Sequence, residues 1–303
     1  MPCPNVVVVG SANTDMVLQT EHIPAPGETI IGGTFMMAAG GKGANQAVAA
    51  ARLGARVTFV ARLGHDMFGD QALAGYEREG IDTSFIVRDP DAASGIAMIF
   101  VDRKGENSIA VASGANAHLS PADVERAGQA IAQADVLLVQ LEVPLETVCR
   151  AVELAHAAGV RVILNPAPAQ PLPPDLLARV SVLTPNEHEV CAIADQPDLE
   201  RAAAHLLQQG TRTVLVTMGQ AGALWVDHQT RQIVPSFAVH AVDTTAAGDA
   251  FNGGLACALG RGLPIVEAIR YAHAVAALSV TQMGAQPSLP TASQVQTFLA
   301  ERP

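Results

Sequence analysis

The hydrophobic positions of this chain fall into short continuous runs, not alternating ones. Residues 6–9 read VVVV and end at Gly10. A β-branched run with no polar position inside it predicts a strand buried on both faces. The same pattern predicts strands at 57–61, in DVLLVQ at 135–140, in RVILN at 161–165, in SVL at 181–183 and at 213–217. Between them lie segments of helical spacing. An Ala-rich helix begins near Ala44 and stops at Gly54, and another spans 66–79, closed by Gly80. A third runs to Ala134, with Ser120 as N-cap and Pro121 in its first turn; further helices fall at 144–158, 249–259 and 264–280, with a short one at the end. Strand and helix in alternation imply an α/β fold built on parallel strands.

Three stretches break that rhythm. Residues 28–37 are apolar and β-rich around Gly32 and Gly33, which suits an irregular hairpin. Strands at 95–101 and 108–112 are joined by the polar turn DRKGEN, and a further hairpin is expected at 223–239. The first two stretches predict a small sheet projecting from the main body. Its exposed edge and apolar residues need cover, either from a ligand site or from a second subunit.

Composition narrows the picture. Nearly half of the 303 residues are hydrophobic and few are aromatic, as a core of buried strands and small-residue helices requires. The formal net charge of -11 and the lack of a basic stripe argue against a nucleic-acid partner. Cys3, Cys149, Cys191 and Cys257 are far apart with no C-x-x-C pair, so neither a disulfide framework nor a zinc site is expected. No apolar run reaches the roughly 20 residues of a membrane span. The opening VVVVG lacks the basic prelude and length of a signal segment. A soluble, cytoplasmic protein without a membrane partner is expected.

The candidate chemistry gathers around VDTTAAGDAFNGG at 242–254. A helix starting here points unpaired amide hydrogens and its positive dipole end at whatever lies ahead, a setting that suits phosphate. Ala246, Ala247 and Gly248 are small enough for close approach, and Asp249 stands at the mouth of that cradle. The dipole is expected to keep it ionised and able to take a proton from a hydroxyl; as an isolated feature, helix capping is the better explanation. Asn13 and Asp15, in SANTD after the first strand, share a face if that piece is extended; otherwise they are turn formers. In AAGGKGANQ, Gly41, Lys42 and Asn45 read as donors for a neutral polyol, or as close helix packing. Neither a Walker A loop nor G-x-G-x-x-G is present. Gln140, Leu141 and Glu142 end a strand at a ligand crevice. Asn186 and Glu189 share one helical face, where an amide and a carboxylate can order waters around Mg²⁺. Gly219 and Gly222, after the strand ending at Thr217, allow a ligand close to the backbone. His273 alone would read as a packed core residue.

Four segments, GGKGANQAVAA at 40–50, NPAPA at 165–169, TPNEHE at 184–189 and VDTTAAGDAFNGG, together resemble the ribokinase (PfkB-type) sugar kinase family, and the resemblance runs from about Val6 to Phe298. It implies a single ribokinase-like domain over 1–303: a three-layer α/β sandwich with a mostly parallel central sheet flanked by helices. A small β lid would be inserted at about 14–40 and 94–113, through which subunits form a homodimer. It implies ATP-dependent phosphorylation of D-ribose at the 5-hydroxyl; the alternatives are another sugar such as 2-deoxyribose or fructose, a nucleoside, or a silent sugar-binding regulator. By resemblance the sugar is held by Asn13, Asp15, Gly41, Lys42, Asn45 and Glu142, with Asp249 as base and Ala246, Ala247 and Gly248 as the anion hole. Asn186, Thr217, Gly219, Gly222, Gly248 and His273 would line ATP, with Asn186 and Glu189 holding Mg²⁺ through water. A K⁺ site would involve Asp243, Thr245, Ser279, Gln282, Gly284 and Ser288.

Overall fold

The computed structural model describes residues 3–302; positions 1, 2 and 303 of the expected 1–303 span lie outside the described residues. In chain order its strands are β1 (Asn5–Val9), β2 (Asn13–Gln19), β3 (Thr34–Gly40), β4 (Arg56–Gly64), β5 (Ile86–Asp89), β6 (Gly95–Val101) and β7 (Asn107–Ala112). They continue as β8 (Val136–Val139), β9 (Arg161–Leu164), β10 (Val182–Leu183), β11 (Thr213–Thr217), β12 (Ala223–Asp227) and β13 (Arg231–Val234). Nine of them form one sheet in the order β13-β12-β11-β10-β9-β8-β1-β4-β5, parallel except for the β11–β12–β13 edge.

The continuous apolar runs earn their burial from both sides. Successive residues of a strand point to opposite faces, and β1 divides accordingly. Val6 and Val8 enter one core with the helices Lys42–Arg52, Ala247–Gly260 and Ile265–Ser279. Val7 and Val9 enter the other, with the helices Leu145–Ala157 and Leu199–Gln208. β8 splits the same way, Val136 and Leu138 against Leu137 and Val139. Each such side chain contributes about 1.5–3 kcal/mol when fully buried. The result is the helix–sheet–helix sandwich.

β1 pairs with β4 on one side and β8 on the other, all parallel. The chain leaves β1 and β8 in opposite directions across the sheet, so their carboxyl ends open the crevice where ligands of such sheets bind. Over that crevice stands the second sheet, ordered β3-β2-β6-β7. The register Met37–Met16–Met98 and Phe35–Leu18–Phe100 lines up one apolar face. The opposite face carries Asn13 and Asp15 nearest the body.

Some boundaries differ from expectation. Residues 28–33 hold no strand; β3 is the antiparallel partner of β2 across a long loop. The expected helix over 120–134 keeps its Ser120 cap and Pro121 start but breaks at Ala127 into Pro121–Arg126 and Gly128–Ala132. The 223–239 hairpin ends at Val234. The Ala-rich helix starts at Lys42, because Gly41, at φ 87°, turns the chain directly into it.

Candidate active site

The N-termini of the helices Lys42–Arg52 and Ala247–Gly260 meet at the crevice, and Asp249 lies between them at 6% exposure. Both of its carboxylate oxygens are held. Asn45 Nδ2 donates to Oδ2 at 2.9 Å and Gln46 Nε2 donates to Oδ1 at 2.9 Å. Burial pushes its pKa up; the Lys42 ammonium and the two amides pull against it without cancelling it. Burial thus works against the ionised form that the helix dipole, Lys42 and the two amides favour.

The residues expected to hold the sugar are brought together. SANTD is extended, so Asn13 and Asp15 do share a face of β2. Their cross-strand neighbours are small: Ala38 and Ala97 flank Asp15, and Gly40 and Gly95 flank Asn13. A Cβ on Gly40 would stand 2.2 Å from the Asp15 carboxylate, so glycine there is a matter of space. Burial raises Asp15 from 3.8 to about 6, reinforced by Glu142 and Asp249 and opposed by Lys42. Glu142 follows β8, where its Oε2 accepts from Ser11 Oγ at 2.5 Å and from the Lys42 amide at 3.0 Å. The Lys42 side chain faces Asp249, Glu142, Glu189 and Asp15. Burial lowers its pKa, but these carboxylates outweigh that and leave it raised.

The other half of the site is built from backbone. Ala246 has φ 59°, a left-handed conformation that costs a non-glycine residue roughly 1–2 kcal/mol. That turn aims the first amides of the helix outward. The Ala247 amide closes onto Thr244 O at 3.2 Å, whereas the Ala246 and Gly248 amides have no backbone acceptor among the described residues. A Cβ on Gly248 would meet nothing within 4 Å. Asn186 caps the helix Glu187–Ala194 in a reciprocal box with Glu189: Asn186 Oδ1 accepts from the Glu189 amide, and Glu189 Oε2 from the Asn186 amide, both at 2.8 Å. Thr217 lies beside Asn186, its amide donating to Pro185 O at 2.9 Å. Gly219 is exposed at φ 54°, while Gly222 is buried against Val234 O. His273 is 4% exposed and packs on Phe251, and burial lowers its pKa to about 4. It offers a ligand little surface.

The residues assigned by resemblance to a cation converge in part. Asp243 Oδ1 accepts from the Thr245 amide and hydroxyl, and Oδ2 from the Gly284 amide at 2.8 Å. The Gln282 amide donates to Ser279 O. The Ser279 and Ser288 hydroxyls turn to their own helical carbonyls, Ala276 O and Ala285 O.

Sequence reasoning missed the supporting layer. Gln46 also donates to Asn165 Oδ1 at 3.1 Å and accepts from Gln140 Nε2 at 2.6 Å. Asn165 donates to Thr184 O, Thr184 Oγ1 to Asn252 Oδ1 at 2.6 Å, and Asn252 Nδ2 to Gly248 O at 2.8 Å. This buried chain ties the NPAPA, TPNEHE and GDAFN segments to one another. Asn116, equally unforeseen, donates to Asn13 Oδ1 at 2.8 Å. The available signal was that Gln46, Asn165, Thr184 and Asn252 all sit inside the four family-like segments.

A buried carboxylate at a helix N-terminus, beside amides without a backbone acceptor and among polar side chains, is the arrangement a phosphotransferase centre requires. Residues 4–292 match the pfkB family carbohydrate kinase model, and the chain belongs to that family. A ribokinase of Haemophilus influenzae is 44% identical over 299 residues, covering 97% of this chain and 98% of that protein. A deoxyribokinase of Salmonella typhimurium is 39% identical over 302 residues, covering 98% and 99%. Among solved structures, Arabidopsis thaliana ribokinase complexed with ribose and ATP superposes with a TM-score of 0.90 at 32% identity, covering 98% of this chain and 99% of that one.

Proposed function

We propose that this protein transfers the γ-phosphoryl group of ATP to the 5-hydroxyl of D-ribose, giving D-ribose 5-phosphate and ADP. The observation that carries the reading is Asp249, buried between two amide donors and directly behind the Ala246 and Gly248 amides, which have no backbone acceptor among the described residues. Asn13, Asp15, Gly41, Lys42, Asn45 and Glu142 bind the sugar so that its 5-hydroxyl reaches Asp249. The hydroxyl oxygen attacks the γ-phosphorus, its proton passes to the Asp249 carboxylate, and the bond to the β-phosphate oxygen breaks with ADP as leaving group. Charge developing on the transferring oxygens is met by preorganised amides, whose individual worth is typically about 2.7–4 kcal/mol.

Thr217, Gly219, Gly222, Gly248 and His273 are the nucleotide-side residues of this reading, His273 supporting from beneath. Asn186 and Glu189 would hold Mg²⁺ through water; their single carboxylate suits an ion that keeps most of its hydration. That ion would supply charge neutralisation between the phosphates. Asp243, Thr245, Ser279, Gln282, Gly284 and Ser288 would hold K⁺, and the Asp243 bonds to Thr245 and Gly284 support a loop already folded around that point. The apolar lid face, with Phe35 57% exposed and Met37 49%, suits a homodimer of single-domain subunits. No described helix is long and apolar enough to cross a membrane. A cytoplasmic location fits this reading.

A second sugar, 2-deoxyribose, is favoured by the Salmonella relative's name. The polar pocket weighs against it, since a missing hydroxyl leaves buried groups unpaired. Product identification decides the matter. Protein, Mg-ATP and ribose should yield ADP and ribose 5-phosphate in equal amounts; a phosphate on another carbon, or no sugar phosphate, overturns the reading.

A further inference from the structure

Asp249 offers two oxygens to its surroundings, and they are not equivalent. Gln46, which bonds Oδ1, is 0% exposed and has no freedom left. Its Nε2 serves Asp249 and Asn165 together, and its Oε1 accepts from Gln140. Turning the amide over would set Gln46 Oε1 against two acceptor oxygens and its NH₂ against that of Gln140. Asn165 is fixed in turn, because its Nδ2 donates to Thr184 O at 3.1 Å. Oδ2, in contrast, is bonded by Asn45, whose own Oδ1 is buried without a partner among the described residues. Asn45 therefore belongs to the side of Asp249 that still has bonding capacity to give a sugar hydroxyl.

From this asymmetry we infer that Gln46 is a positioning residue for the base: it caps Oδ1 so that Oδ2 receives the sugar proton. Gln140 keeps Gln46 in the donating orientation. The inference rests on the sugar kinase reading above, and the Asp249 carboxylate remains the only group in it that touches the reacting atoms. A neutral donor on Oδ1 also favours the ionised form of the base against its burial. Removing that donor must leave the carboxylate less readily ionised and less fixed in orientation, and so raise the pH at which it becomes active.

The test is Gln46→Met, similar in length but unable to donate, assayed with whichever sugar the wild-type protein phosphorylates best. At a fixed pH on the acid limb, kcat should fall about 10- to 100-fold, the worth of a hydrogen bond to a charged group. The sugar KM should stay near its wild-type value. The acid limb of the kcat–pH profile should move to higher pH. Gln140→Met provides the second variant. It removes the donor to Gln46 Oε1 and so frees the Gln46 amide to turn, while leaving the Gln46 and Asp249 side chains themselves in place. It should give a smaller loss of kcat with a limb shift in the same direction. An unmoved acid limb in a folded variant, or wild-type kcat in both, overturns the positioning role. If Gln46→Met fails to fold, Gln140→Met decides alone. A wild-type protein with no sugar-dependent ADP release would instead overturn the kinase reading.

Discussion

The two halves of the site are made of different material. The proposed sugar side is lined by buried side chains: Asn13 is 8% exposed, Asn45 5% and Asp249 6%. On the phosphate side, Gly219 and Gly248 are exposed, Asn186 is an exposed cap, and the donors are main-chain amides. The difference teaches how one pocket can choose its acceptor closely while gripping a common phosphate chain. Side-chain donors and acceptors placed in a dry crevice penalise every unmatched hydroxyl. Backbone amides at a helix end recognise charge and shape. Asp249 sits where the halves join, and the comparison can be broken at that point first.

Asp249→Asn keeps the shape and both amide neighbours but removes the proton acceptor. kcat should fall about 10²–10⁴-fold, the usual contribution of a general base. Steady-state kinetics on a variant with an unchanged circular dichroism spectrum would measure it; near wild-type turnover takes the base role away. Gly248→Val tests the phosphate half. Its Cβ would meet no protein atom, so a folded variant should have an ordinary Tm. Yet the side chain would occupy the space before the amides. Loss of one such donor is worth about 10²–10³ in kcat, and the sugar KM should be spared. A Gly248→Val enzyme with normal kcat and a raised sugar KM would assign that space to the wrong half.

Asp15 separates binding from stability. Its pKa is raised from 3.8 to about 6, chiefly by burial, so the folded protein favours the protonated form more than the unfolded chain does. The stability this confers is present below pH 3.8 and is lost as pH rises through about 6. Asp15→Asn should therefore raise the Tm of the sugar-free protein at pH 8 and not at pH 4, with an upper bound of roughly 3 kcal/mol. The same variant should raise the sugar KM far more than the ATP KM. In the wild-type protein, kcat/KM for the sugar should decline as pH falls below about 6, because the protonated carboxyl loses half its accepting capacity. A Tm gain of equal size at both pH values would contradict the assigned cause. The smallest expected effect concerns the cation. Added K⁺, against tetramethylammonium at constant ionic strength, should raise kcat by ordering the Ala246–Gly248 amides; a flat response means that Asp243 and its bonds to Thr245 and Gly284 suffice.

How much of this could be read from the sequence follows the same division. Continuous apolar runs announced the parallel strands because a strand buried on both faces has no polar position to spare. The extended reading of SANTD gave Asn13 and Asp15 their common face, and the glycines of 40–43 marked where chain and carboxylate approach. The residues that lay hidden are those whose partners are distant in sequence. Gln46 looks like any polar residue on an Ala-rich helix until Asn165, Gln140 and Asp249 close around it. The expected helix breaks at Ala127, directly before Gly128, a single glycine that by itself need not end a helix. The burial that pushes the Asp249 pKa up was hidden for a similar reason: a helix dipole is visible in the sequence, whereas burial is set by how two helices pack, with Gly253 against Ala49.

The most direct measurement is a matrix of kcat/KM values for the wild-type protein, ribose and 2-deoxyribose as acceptors against ATP and GTP as donors, followed by ADP or GDP release. The side-chain-built sugar half should discriminate steeply, with ribose well ahead of 2-deoxyribose; loss of a hydrogen-bonded hydroxyl can reach about 10⁴-fold in the best cases. The backbone-built phosphate half should discriminate far less between the two nucleotides. Equal values for the two sugars alongside a steep preference between nucleotides would contradict the account.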